Sequence, residues 1–133
     1  MQLIEPNKRI SFPENADSKQ IPVMTTAHIK VWIKENIAYC IFKENIDLDI
    51  DLAHHCVTER LLFFKGLNYP CLIDMRSIRT VNKEAREYFA EEGAKGIVAG
   101  ALIVGSVFSR MLGNIFLTIN KPKVPTRLFT NEK

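Results

Sequence analysis

Eight consecutive residues, Ile97-Val-Ala-Gly-Ala-Leu-Ile-Val104, carry no polar side chain, and the turn residues Gly105-Ser106 close the run. A stretch that short, apolar at every position, reads as a strand covered on both faces, as parallel strands are. A second run of the same kind, Cys71-Leu-Ile73, opens after Pro70 and ends at Asp74. Each is followed by a helical pattern, so the predicted fold class is α/β, with a mixed sheet and alternating helices. Taken as one span, residues 97–119 are nearly all apolar. Arg110 interrupts them, however, and Gly105-Ser106 splits them into pieces too short to cross a bilayer, so no membrane span is expected.

The remaining elements follow in order. Ile29, Val31 and Ile33 alternate with Lys30, Trp32 and Lys34, and Ile37, Tyr39 and Ile41 resume the alternation after Glu35-Asn36, which predicts an N-terminal β-hairpin. Lys-Glu-Asn-Ile occurs at 34–37 and again at 43–46, the same turn chemistry used twice, because Asn tolerates the left-handed conformation of a tight loop. A first helix places Ala53, Cys56, Val57, Leu61 and Phe64 inward, with Thr58, Glu59 and Arg60 as the polar residues between them. Asp49 or Asp51 is its cap and Gly66 its stop. A second helix runs from about Lys83 to about Glu92 behind the cap Asn82, with Ala85, Tyr88 and Phe89 inward. Ser106 caps a third, whose Phe108, Met111, Leu112, Ile115, Phe116 and Ile119 form an apolar stripe, and Thr126–Thr130 is a last strand. Residues 1–26 read as an arm in which Leu3-Ile4 and Ile10-Ser11-Phe12 offer a short edge strand; residues 27–133 form the domain.

Totals narrow the function. A chain of 133 residues makes one domain, and 18 basic against 15 acidic side chains leave only +3, scattered along the sequence, so nucleic acid is not an expected partner. Cys40, Cys56 and Cys71 are odd in number, stand in apolar segments and form no C-x-x-C pair, which is the usage of buried reduced thiols. Residues 1–18 lack the apolar segment of a secretory signal, so a cytoplasmic location is expected.

Few residues combine into chemistry. Asp47, Asp49 and Asp51 imitate a calcium loop, but Leu52 stands where such a loop needs Gly and Thr58 where it needs Glu. His54, His55 and Cys56 are consecutive on a helix and point about 100° apart, so no metal site is expected. Gly100-x-x-x-x-Gly105-Ser106 lacks the lysine of a phosphate loop. Ser77, Thr80, Ser106 and Ser109 as nucleophiles and His28, His54 and His55 as bases share no catalytic spacing, so neither enzyme activity nor a cofactor is expected. One candidate surface stands out. At the end of the second apolar run and the start of the following helix, Asp74, Arg76, Arg79, Asn82, Lys83, Glu84 and Arg86 gather polar groups near free helix N–H groups, where an anion or an acidic partner loop would bind.

The element order, together with Leu72-Ile-Asp-Met75 and Asn120-Lys-Pro-x-x-Pro-x-Arg-Leu-Phe-Thr130, resembles the STAS domain of bacterial anti-sigma-factor antagonists, in particular its SpoIIAA-like uncharacterised branch. The resemblance implies a non-enzymatic module that docks a protein partner. Antagonists carry Asp-Ser-Ser-Gly at the start of the second helix, where a kinase phosphorylates serine. Here the matching positions are Asn82-Lys-Glu-Ala85, which place Glu84 at the switch position and imply that the switch is absent. The family continues into a terminal helix beyond the last strand, whereas this sequence ends at Lys133, and surface left bare in that way implies a homodimer. An alternative reading makes the third helix one wall of a pocket for a lipid or other small apolar or anionic ligand.

Overall fold

The computed structural model describes residues 21–130. The apolar pieces at 3–4 and 10–12 lie outside the described residues. Eight strands and three α-helices follow in the order β1 (Val23–Thr25), β2 (Ile29–Lys34), β3 (Ile37–Phe42), β4 (Ile46–Leu48), α1 (Ile50–Phe64), β5 (Tyr69–Asp74), β6 (Ile78–Val81), α2 (Lys83–Ala90), β7 (Ile97–Val104), α3 (Val107–Ile115) and β8 (Thr126–Thr130). A 3₁₀ turn, Glu92–Ala94, joins α2 to β7, and a π-helical turn, Phe116–Asn120, extends α3.

Six strands form one mixed sheet in the order β1-β2-β3-β5-β7-β8. The antiparallel β2–β3 hairpin turns at Glu35-Asn36, both at positive φ, the geometry that matches the twist of two paired strands. Asn45 in the second Lys-Glu-Asn-Ile copy also has positive φ. The pairs β3–β5, β5–β7 and β7–β8 are parallel and all step in one direction across the sheet. Right-handed crossovers stepping one way put α1, α2 and α3 on one face.

Local signals start and stop the helices where the residues predict. Asp49 accepts from Leu52 N–H at 2.8 Å, and Asn82 accepts from Ala85 N–H at 2.9 Å. Ser106 and Ser109 cap α3 reciprocally, each hydroxyl accepting the other's backbone N–H at 3.0 Å. Lys65 takes the left-handed position that ends α1, one residue before Gly66.

Two features differ from the sequence reading. Between the second apolar run and the following helix stands a strand that the residue pattern does not announce: β6 pairs in parallel with β4, which carries Asp47, as a separate two-stranded sheet. The stripe of α3 is not buried along its length. Leu112 is buried, but Phe108, Met111 and Ile119 are exposed, because α3 approaches the sheet through Ser109, Leu112 and Gly113. A Cβ at Gly113 would lie 2.7 Å from Leu128 Cδ2, so a small residue sets how close helix and β8 come.

Candidate functional site

The polar ends of β5 and β6 form a ridge of matched charges. Asp74, 6% exposed, accepts from Arg76 three times, at 3.0 Å from its backbone N–H, 2.9 Å from Nε and 2.7 Å from Nη2. Arg79 forks onto Asp47 at 3.0 and 2.6 Å, and Thr80 adds a hydroxyl donor at 2.8 Å. Those bonds from Arg79 and Thr80 hold the Asp47 carboxyl down at about 2. Lys83 lies 3.9 Å from Glu87, and Arg86 donates to Val81 O at 3.1 Å and Asn120 Oδ1 at 3.3 Å. Glu84 is exposed in the first turn of α2 behind the Asn82 cap. The expected convergence of Arg76, Arg79, Lys83 and Arg86 on one anion is therefore replaced by four separate partnerships, because β4 brings Asp47 alongside β6 and Asp74 reaches back to its own loop.

The predicted histidines stand elsewhere. His28 precedes β2 and meets His55 edge to face with ring centroids 6.0 Å apart, while His55 Nε2 lies 3.1 Å from Glu59. Among the described residues no group of His, Cys, Asp or Glu is arranged to hold a metal ion. All three cysteines are buried free thiols, and burial pushes each up to about 12, so they are neutral at pH 7.

Beneath the helices lies a cavity of about 120 Å³. Small side chains on the sheet make its floor: Ala38 and Cys40 on β3, Cys71 on β5, Gly100 on β7. Phe64, Phe89, Leu112 and Phe116 reach over it from the helices. Large residues facing small ones leave space instead of interdigitating. The space is partly open to solvent between helices and sheet. Its volume resembles that of a dry apolar cavity that takes up benzene.

One charged group is built deeply into the wall. Arg60, placed among polar residues by the sequence reading, is 7% exposed and takes the inward position given there to Leu61. It stands four residues from both Cys56 and Phe64, in phase with the buried face of α1, and that phase is the signal that reveals it in the sequence. Its Nη2 donates to Gly93 O at 2.9 Å and Lys95 O at 2.6 Å, and its guanidinium lies 5.7 Å from the Phe64 ring centroid. Nε is buried without an acceptor.

Residues 31–133 match a family described as a domain of unknown function, DUF7793. The chain belongs to that family. The match takes in every element from β3 to β8, and with them both the ridge and the cavity of this DUF7793 domain. A search among curated proteins finds no match.

Proposed function

We propose that this DUF7793 domain is a non-enzymatic binding module that encloses a small apolar ligand between its sheet and its helices. The observation that carries the reading is the 120 Å³ cavity, floored by Ala38, Cys40, Cys71 and Gly100, at the centre of an otherwise closely packed face. Apolar walls left without partner atoms on one side regain those contacts when the space is occupied, and a ligand that binds only the folded state stabilises it. Thermal denaturation with toluene or indole, paired with native mass spectrometry of protein purified from cells, tests it. Either probe is expected to raise the midpoint, and Ala38→Leu, which fills the hole, is expected to abolish the shift. A bare mass together with no response to either probe removes the reading.

A second reading rests on the outer side of α3. Among the described residues, Val107, Phe108, Met111 and Ile119 make up half of the eight exposed large hydrophobic residues, and Phe108 shares an open depression with Arg76 and Arg79. A patch of this kind suits a protein partner, and a second copy of the chain is the partner we infer, joined through α3 beside the edge strand β8. It would act as a STAS-like docking module, with Glu84 in place of a switchable serine. Sedimentation is expected to give a dimer that Met111→Glu dissociates. A monomer mass at protein concentrations of about tens of micromolar refutes this reading.

A further inference from the structure

We propose that Arg60 is the anchor for a carboxylate, so that the ligand of the cavity is a small apolar acid with its charged end against α1 and its apolar body over the sheet. The inference rests on the cavity reading and adds the chemical class of the ligand. Arginine carries five N–H donors and stays charged at any physiological pH. Nη2 has two acceptors, the carbonyls of Gly93 and Lys95, whereas Nε–H is buried without one and, among the described residues, none meets Nη1. Among the described residues no carboxylate forms an ion pair with Arg60, and the thiols of Cys40, Cys56 and Cys71 around it are neutral.

A buried cation without a counter-charge is among the costliest arrangements a core can hold, and buried charges in proteins are therefore paired. A purely structural role, holding the turn before β7, uses Nη2 alone and is equally open to a neutral donor such as glutamine. The surplus donors, the missing counter-ion and the adjoining apolar space together describe half of a binding site whose other half is an oxyanion on a ring-sized body. Arg86 also borders the cavity and donates to Val81 O and Asn120 Oδ1, but it is only half-buried, so water can serve its remaining donors.

Calorimetric titration of the whole chain with benzoate, benzyl alcohol and toluene separates the possibilities without any variant. Benzoate is expected to bind about tenfold or more tightly than benzyl alcohol, as a charge-assisted hydrogen bond requires. Arg60→Met is expected to erase that preference while leaving toluene bound, and Arg86→Met to leave it within about threefold, as for a residue outside the charged contact. If benzoate and benzyl alcohol bind wild type equally, or if Arg60→Met keeps the preference, the anchor is refuted and the cavity reading stands. If none of the three binds, both fall. Should Arg60→Met fail to fold, the wild-type ratio and the Arg86→Met variant still decide.

Discussion

The ridge at the ends of β5 and β6 and the cavity under the helices handle arginine in opposite ways. On the ridge, Arg76 and Arg79 each meet a carboxylate in a fork, and Arg79 and Asp47 keep side-chain exposures of 63% and 49%. In the cavity wall, Arg60 is buried with two carbonyls and an aromatic face and, among the described residues, no acid. Exposed pairs contribute little and salt screens them, so a surface accumulates them without consequence. A buried charge lacking a partner opposes folding, and a void beside it opposes folding again. That contrast directs attention away from the ridge, the more conspicuous cluster in the sequence, and toward α1.

The largest effect that sharpens the contrast comes from enlarging the hole. Leu102→Ala, at a buried position in the cavity wall, is expected to lower stability in urea by about 2 to 5 kcal/mol. A loss under about 1 kcal/mol means that the walls collapse, and the cavity is then no fixed feature. A smaller change tests the buried end of the ridge: Asp74→Ala strips Arg76 of three hydrogen bonds and is expected to lower stability by about 2 kcal/mol. An effect at the noise level places Asp74 with the surface pairs. The smallest effect belongs to the exposed pair Asp47 and Arg79, and Arg79→Ala is expected to leave the urea midpoint where it is. Carboxyl titration by NMR reports this pair better. The Asp47 carboxyl lies at about 2 against an ordinary 3.8, so whatever the pair adds is present above 3.8 and fades as pH falls toward 2. Arg79→Ala is expected to move that midpoint back up, and high salt to move it part of the way.

The residues determine by themselves the turns, caps and apolar runs, whose causes lie within a few positions. The Glu35-Asn36 turn, the caps at Asp49, Asn82 and Ser106, the all-apolar β7 and the amphipathic α1 are legible because a turn or a cap is closed by neighbours three or four residues away. Contacts across the chain are another matter. Asp47 and Arg79 stand 32 residues apart, and Arg60 finds its carbonyls 33 and 35 residues on, so neither the neutral ridge nor the buried arginine has a local signature beyond the phase of α1. Hydrophobic periodicity marks which side of α3 is apolar, but Gly113 against Leu128 decides which part of that side touches the sheet and leaves Phe108 and Met111 outside. The cavity belongs wholly to tertiary structure: Ala38, Cys40, Cys71 and Gly100 announce no hollow as single residues, and they become a floor only when β3, β5 and β7 lie side by side, because empty space is a property of what several elements together fail to fill.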